Sequence, residues 1–381
     1  MSLDARSLST AERASNGDRT LALSGIDSTQ IDLLRAVCIF LMLSVHVYPT
    51  LLESTIIHGG EWDWVGYVYV DIFGRASVAV LSFLGGYVLW VGARHRPLSE
   101  IARSRFRSLI IPMMTWNLIY AAMVAAVALM ERRDLAAEMA RYGVDTPIGA
   151  VTAITGVAGR TINVPLTFLR DLFVSILAAR LLFPAMPRFG VQILTVLLAL
   201  ALIDISKPIF VTPAIPLFVF AGEFFAAKGL SLKSISDTRV ALPASIILAC
   251  LFVASHLLPT MRSSLDEEAV NLSKRAMLVA MMLLVSRIVA ERIGARDLAG
   301  VRPVLFLAFL THSIINQFLG ILWEMFGLGV YSVLYIAFFF LNAPLDITAA
   351  WIGMLLIRQI PRRLQLVLNG SAGGEASATR S

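Results

Sequence analysis

Residues 31–49 read IDLLRAVCIFLMLSVHVYP, an apolar run interrupted by a few polar side chains, among them Arg35 and His46. An apolar run of about 20 residues has the length that spans roughly 30 Å of bilayer hydrocarbon as a helix. Hydrophobic residues make up 57% of the 381 residues and charged residues only 15%, with a mean hydropathy of +0.77. Because a soluble globular chain carries about 25% charged residues, the composition indicates an integral membrane protein in contact with the lipid bilayer.

Apolar runs of similar length recur along the chain and predict an all-α membrane protein with about ten transmembrane helices. The predicted spans cover residues 31–51, 74–93, 108–130, 166–186, 191–205, 212–229, 241–259, 274–291, 301–323 and 329–357. We expect the last span to break at Asn342–Pro344, since proline removes a helix hydrogen bond. In the long loop 131–165 the sequence predicts a short helix over Leu135–Tyr142.

The basic residues lie mostly in short loops between the apolar runs, where positive charge sets the topology. With the N-terminus inside, the predicted cytosolic segments carry more than twice as many lysines and arginines as the opposite side. Both termini are therefore expected in the cytosol, in a multi-pass protein of the cell (inner or plasma) membrane. The formal charge of +6 does not indicate nucleic-acid binding in this distribution. The chain divides into a polar cytosolic tail at 1–25, a transmembrane domain at 26–360 and a disordered cytosolic tail at 361–381.

Arg35 and His46 are costly to keep inside a bilayer, where an ionisable group needs a partner or water. They are eleven residues apart, about three helical turns, so both point to one face with a rise of roughly 16 Å between them. The topology places Arg35 near the cytosolic end and His46 near the outer end, and Asp32 can neutralise Arg35. Two interpretations stay open. Arg35 reaches the headgroups and His46 bonds a neighbouring helix, or both act on a substrate, the histidine on a proton and the arginine on a phosphate or carbonyl.

Several polar side chains can assist His46. Asp71 and Arg75 are four residues apart at the outer start of the second span and can pair with each other. That pair is either structural, or Asp71 orients the ring of His46. His312, in the middle of the ninth span, either shares a cavity with His46 or bonds Asn316 one turn further on.

Three further ionisable residues lie in the fourth and sixth spans. Arg170 and Asp171 are adjacent in sequence and are not expected to face each other on one helix. Each then needs a partner elsewhere, which is typical of the wall of a wet cavity. Glu223 lies in an otherwise apolar span and calls for the same explanation.

The segment Ile31–Pro49 resembles the opening signature of the acyltransferase family 3 membrane proteins, in which an arginine precedes a histidine at the spacing of Arg35 and His46. Later segments resemble further helices of that family: Leu81–Tyr87, Arg103–Pro112, Phe168–Leu172 and Thr311–His312. The resemblance implies a membrane O-acyltransferase that moves an acetyl or succinyl group from cytosolic acyl-CoA to a hydroxyl of an extracytoplasmic or lipid-linked polysaccharide. The chain is similar to the single-domain members that modify bacterial exopolysaccharides.

The same resemblance implies roles for the basic loop and the first helix. Arg103, Arg105 and Arg107 would hold the phosphates of acyl-CoA, while positive-inside signalling accounts equally well for each single arginine in this loop. The acyl-carrying arm would pass Arg35. His46 would then deprotonate a sugar hydroxyl or carry the acyl group itself.

Succinyl transfer requires one more cationic contact than acetyl transfer, for the second carboxylate, and Arg75 or Arg170 is available for it. Cys38 and Cys250 both lie in apolar runs and offer neither a disulfide framework nor a thiolate zinc site. We therefore expect acyl-CoA as a substrate and no bound cofactor or metal. The main alternative function is a transporter or flippase of a lipid-linked saccharide, and a structural or assembly subunit is the third.

Overall fold

The structure, a computed structural model, describes residues 23–47, 69, 73–203, 209–257, 264–296, 298, 300–327 and 334–370. Over these residues the regular structure is helical, with no strand, which confirms the predicted all-α class. The helices in chain order are α1 (Gly25–Val45), α2 (Arg75–Ala93), α3 (Leu98–Arg105), α4 (Ile111–Met130), α5 (Leu135–Arg141), α6 (Pro147–Thr155), α7 (Thr167–Leu182), α8 (Met186–Leu202), α9 (Ala214–Ala227), α10 (Leu232–Ile235), α11 (Thr238–Leu257), α12 (Ser264–Ile293), α13 (Arg302–Met325), α14 (Leu334–Ile357) and α15 (Arg362–Asn369). A π-helical turn, Phe106–Ile110, joins α3 to α4.

Each predicted span overlaps one of these helices. In the described part of the chain, four helical stretches are long and apolar enough to cross a membrane. They are Gly25–Val45, Leu98–Met130, Arg302–Met325 and Leu334–Ile357. Shorter apolar helices lie at Ser77–Ala93, Met186–Leu202, Ala214–Ala227 and Thr238–Ile247. These helices support a multi-pass membrane protein. The number of ten spans and the cytosolic position of both termini stay predictions.

The last long helix is continuous, so the predicted break at Asn342–Pro344 is wrong. Pro344 lies inside α14. Proline has no N–H to bond the carbonyl four residues earlier, which here is that of Phe340. A membrane helix tolerates this loss where neighbouring helices, hydroxyl side chains or local adjustments of the helix satisfy the freed group.

Among the described residues, five helices lie outside the predicted spans: α3, α5, α6, α10 and α15. The helix predicted over Leu135–Tyr142 is confirmed as α5. In the segment predicted as a disordered tail, α15 instead packs on α4, where the Trp116 indole Nε1 donates to the Leu368 carbonyl over 2.8 Å. The Gly-, Ser- and Ala-rich composition that predicted disorder begins only after Asn369, which explains the difference. Residues 371–381, like residues 1–22, lie outside the described residues, and the domain boundaries stay predictions.

α1 lies at the centre of the bundle, in contact with α2, α12, α13 and α14. Ser24 caps its start and exchanges hydrogen bonds with Asp27. The Asp27 carboxylate binds Arg287 of α12 at 2.7 Å, and the buried Gln30 amide donates to the Leu283 carbonyl over 3.0 Å. These contacts hold the start of α1 against α12 and so position the polar residues of its next turns.

α2 and α9 cross so closely that only glycine fits at the contact. A Cβ atom at Gly86 would overlap the Val219 carbonyl oxygen, and one at Gly222 would overlap the Phe83 carbonyl oxygen. Small residues that let two backbones approach are typical of helix pairs in membranes. The crossing provides a rigid wall beside α1.

Candidate active site

Two neighbouring cavities lie along α1, and Met42 and Phe168 line both of them. The first, here the Arg35 cavity, has a volume of about 440 Å³. The second, here the His46 cavity, has a volume of about 470 Å³. Because they share lining residues, the cavities adjoin, and one helix carries Arg35 in the first and His46 in the second.

The Arg35 cavity is strongly cationic. Arg35, Arg105 and Arg302 line it, and Asp32 is the acidic side chain among its described lining residues. Arg302 donates to both carboxylate oxygens of Asp32 over 2.7 Å each, a bidentate pair that ties α13 to α1. Arg35 lies 3.6 Å from the same carboxylate. The predicted contact between Asp32 and Arg35 is therefore present, but the closer partner of Asp32 is Arg302.

The three arginines of the basic loop occupy different faces. Arg105 lines the Arg35 cavity, whereas Arg103 and Arg107 are exposed at the surface and line neither cavity. Residues two apart on a helix are rotated by about 200°, so alternate arginines cannot all face one cavity. The sequence did not single out Arg302, because an arginine at the start of a span reads as an ordinary topology signal.

The ring of His312 packs against the ring of His46, with 5.2 Å between the ring centroids. His46 closes the end of α1, and its backbone carbonyl accepts a hydrogen bond from the Asn316 Nδ2 over 3.3 Å. The Asn316 side chain therefore donates to the backbone at the end of α1 and not to the ring of His312. His312 itself is fully buried behind His46 and is not among the lining residues of the His46 cavity.

The tautomer of neutral His312 follows from its backbone contact. Its Nδ1 lies 2.7 Å from the Phe309 carbonyl oxygen, which can only accept, so Nδ1 carries the proton and Nε2 keeps a lone pair. Ser313 Oγ lies 3.4 Å from that Nε2 but donates to Asn163 Oδ1 over 2.8 Å. The ring of His312 is thus held in one orientation, with its basic nitrogen on the opposite side from the Phe309 carbonyl.

Arg170 and Asp171 pair with each other, so the expectation that they cannot is wrong. The long arginine side chain folds back far enough to reach its neighbour. Arg170 also donates to the Ile209 carbonyl over 2.8 Å, and Asp171 accepts from the backbone amides of Val211 and Thr212 at 3.3 and 2.8 Å. Neither charged residue lines a cavity described here, but Val211 and Thr212 line the His46 cavity. The pair supports that wall from behind.

The remaining predicted site residues either line neither cavity or lie outside the residues that the structure describes. Glu223 is fully buried in α9, lines neither cavity, and its carboxyl oxygens accept no hydrogen bond from the described residues. Arg75 begins α2, but its side chain lies outside the described part of the structure, as does the whole of Asp71. The predicted pairing of Asp71 with Arg75 or His46 stays a prediction.

Besides Arg302, sequence reasoning missed four polar residues, two that line the His46 cavity and two that are buried on α14. Arg160 and Arg275 line the His46 cavity and come from a loop and from α12, where nothing in the sequence pattern marks them. Asn342 and Asp346 are fully buried on α14, and their side-chain oxygens and nitrogen have no hydrogen-bond partner among the described residues. Their signal was present in the sequence, as two polar groups four residues apart in an apolar run.

The model of acyltransferase family 3, described as an acyltransferase domain, matches residues 28–357. The chain belongs to this family. This acyltransferase is also 25% identical over 354 residues to the succinoglycan biosynthesis protein ExoH of Rhizobium meliloti (strain 1021), a match that covers 91% of this chain and 93% of that protein. No solved structure matches the chain. The resemblance to acyltransferase family 3, first seen at Ile31–Pro49, is confirmed. The prediction of a membrane acyltransferase is confirmed with it.

Proposed function

We propose that this acyltransferase moves an acetyl or succinyl group from cytosolic acyl-CoA to a hydroxyl of an extracytoplasmic or lipid-linked polysaccharide. The observation that carries the proposal is the junction of a cationic cavity with a histidine-bearing cavity along α1. The relative in Rhizobium meliloti, a succinoglycan biosynthesis protein, supports a polysaccharide as the acceptor. The protein acts in the cell (inner or plasma) membrane, with both termini in the cytosol.

The Arg35 cavity is the donor site in this proposal. Acyl-CoA carries several phosphate charges, and Arg35 and Arg105 offer guanidinium groups that outnumber the one lining carboxylate. Asp32 occupies Arg302 with two hydrogen bonds, so the other two arginines supply the excess positive charge. Beyond them the lining becomes apolar toward Met42, which suits the uncharged acyl-carrying arm of CoA.

His46 is the catalytic residue in this proposal. The acceptor hydroxyl attacks the thioester carbonyl, the His46 imidazole takes the hydroxyl proton, and the carbon–sulfur bond breaks as the ester forms. The protonated imidazole then returns its proton to the departing CoA thiolate. In the covalent variant of the reaction, His46 first attacks the thioester and carries the acyl group as an acyl-imidazole before the hydroxyl takes it. His312 is a positioning residue, because its own ring is held by Phe309 and packs on the ring of His46.

The proposal is tested with purified full-length protein in lipid nanodiscs. Consumption of acetyl-CoA and succinyl-CoA is measured with a bacterial exopolysaccharide oligomer as the acceptor, and the product is identified by mass spectrometry. We expect an ester on the glycan and release of one CoA thiol per ester formed. If wild-type protein turns over neither thioester in the presence of the glycan, the proposal fails. A deletion strain that loses polymer export, with unchanged acylation of the remaining polymer, would favour a transporter.

A further inference from the structure

A serine hydroxyl lies beside the basic nitrogen of His312 and is turned away from it. Ser313 Oγ is 3.4 Å from the His312 Nε2, and it donates over 2.8 Å to the side-chain oxygen of Asn163. A hydroxyl carries one proton, so Ser313 cannot donate to both groups at once. The Asn163 amide therefore keeps the Ser313 proton away from the lone pair of His312.

Asn163 is held firmly in the loop between α6 and α7, where it is 1% exposed. Its backbone N–H donates to Asn117 Oδ1 of α4 over 3.3 Å, and its carbonyl accepts from Thr161 Oγ1 over 2.7 Å. Asn117 is itself fully buried, and its Nδ2 donates to the Ile154 carbonyl of α6 over 2.9 Å. The bond to Ser313 is the one hydrogen bond that the Asn163 side chain makes with described residues. The loop thus presents a single side-chain contact to α13, and that contact adjoins His312.

His46 requires a hydrogen-bond acceptor at the moment it becomes charged. When its ring takes the hydroxyl proton, both ring nitrogens carry an N–H, and a buried cationic N–H without an acceptor is costly. The described residues that line the His46 cavity include no carboxylate. The ring centroid of His312 lies 5.2 Å from that of His46, which leaves room for a nitrogen–nitrogen hydrogen bond of about 3 Å. Because Nδ1 of His312 donates to the Phe309 carbonyl, Nε2 is the nitrogen that can accept this bond.

We infer that Asn163 is a positioning residue for the transfer, because it draws the Ser313 hydroxyl away and so leaves His312 Nε2 free to accept an N–H of the charged His46. The inference rests on the proposed function. The O–H bond of the acceptor breaks, one nitrogen of His46 binds the proton, and the N–H on its other nitrogen donates to His312, which stays neutral. Asn163 lines neither cavity and acts through Ser313 and His312.

Loss of the Asn163 amide redirects the Ser313 hydroxyl to His312. The Phe309 carbonyl, one turn back on α13, already accepts from His312 Nδ1 and from the helix N–H of Ser313, so both of its lone pairs are occupied. His312 Nε2 is then the acceptor within reach. In nanodiscs we expect Asn163→Leu to lower kcat roughly ten- to hundredfold, with the KM for acyl-CoA unchanged.

Ser313→Ala provides the decisive rescue, since alanine has no hydroxyl to redirect. Alone it is expected to keep kcat within about threefold of wild type, and combined with Asn163→Leu it should restore kcat to that level. Tyr120→Phe is the matched control, because it removes a 2.7 Å bond to Gln317, one turn further along α13, that does not involve His312. A fall in kcat for Tyr120→Phe as large as that for Asn163→Leu, or an Asn163→Leu defect that Ser313→Ala does not reverse, overturns the inference.

Nitrogen-15 NMR of the histidine rings detects the same hydrogen bond without turnover. The full-length protein carries five histidines, and the His312 signals are assigned by their loss in His312→Gln. In the resting protein we expect an unprotonated Nε2 without a hydrogen bond in wild type, a hydrogen-bonded Nε2 in Asn163→Leu, and the wild-type signal again when Ser313→Ala is added. This pattern without thioester turnover would keep the hydrogen-bond network and overturn the proposed function. Thioester turnover with an Nε2 signal that Asn163→Leu leaves unchanged would keep the proposed function and overturn the inference.

Discussion

Neutralising Asp32 tests how the Arg35 cavity is held together. The Asp32 carboxylate is buried, accepts two hydrogen bonds of 2.7 Å from Arg302, and lies 3.6 Å from Arg35. An Asp32→Asn variant keeps the size of the side chain but removes its charge. Arg302, Arg35 and Arg105 then surround the cavity without a carboxylate among the described lining residues, and their mutual repulsion is no longer offset.

The expected loss of stability follows from burial. Removing one partner of a fully buried ion pair costs about 3–5 kcal/mol. The Arg302 side chain is 44% exposed, so water replaces part of its lost partner, and we expect about 2 kcal/mol, close to one charge-assisted hydrogen bond. The pair Arg96–Glu100 is the matched control, with side chains 58% and 55% exposed at 3.5 Å. Glu100→Gln is expected to cost less than about 1 kcal/mol.

The assay is a double-mutant cycle of Asp32→Asn with Arg302→Gln, read as the free energy of unfolding in detergent micelles. We expect a coupling energy of about 1–2 kcal/mol between the two positions. A loss in Asp32→Asn no larger than that of Glu100→Gln, or a coupling energy near zero, would refute the assigned pair.

Three further predictions address helix packing, donor binding and burial. Gly222→Ala places a methyl group against the backbone of α2 and is expected to lower the unfolding free energy by about 1–3 kcal/mol. Gly92→Ala, in open space on α2, should raise the unfolding free energy by about 0.5–1 kcal/mol. Thermal denaturation ranks the two glycine variants, and equal effects would contradict the close crossing of α2 and α9. Arg105→Gln should raise the KM for acyl-CoA about tenfold in an initial-rate assay. Arg103→Gln is the control and should raise it less. The opposite order would show that acyl-CoA does not bind in the Arg35 cavity. Glu223→Met removes a buried carboxyl whose oxygens accept no hydrogen bond from described residues. The variant should therefore melt at a higher temperature than the wild type, and a lower melting temperature would contradict this prediction.

The helical class was predictable from composition, because apolar runs of span length are stable in a bilayer as helices. Helix ends were less predictable. α1 begins at Gly25, before the predicted start at residue 31, because the capping box of Ser24 and Asp27 lies upstream of the apolar run. Pro344 does not interrupt α14, because a helix bundle in a membrane can satisfy the backbone group that a proline frees, and that packing cannot be read from the proline alone.

The site was predictable where one helix carries it and not where distant helices meet. Arg35 and His46 follow from spacing along α1. Arg302 is 270 residues from Asp32 in sequence, so no local pattern links the two. The pairing of Arg170 with Asp171 shows the limit of a spacing rule, since a long flexible side chain can reach an adjacent residue that a short one cannot.

Transfer across the membrane along α1 is tested most directly in proteoliposomes that hold the protein in one orientation. Acyl-CoA labelled in the acyl group is supplied on the side of the Arg35 cavity, and the acceptor glycan is supplied on the side of the His46 cavity. We predict that the labelled ester appears on the glycan in this arrangement alone, and that His46→Gln lowers its rate by about 10²–10⁴-fold. Ester formation that does not depend on the side of the donor, or that survives His46→Gln unchanged, would contradict the proposed path and its catalytic residue.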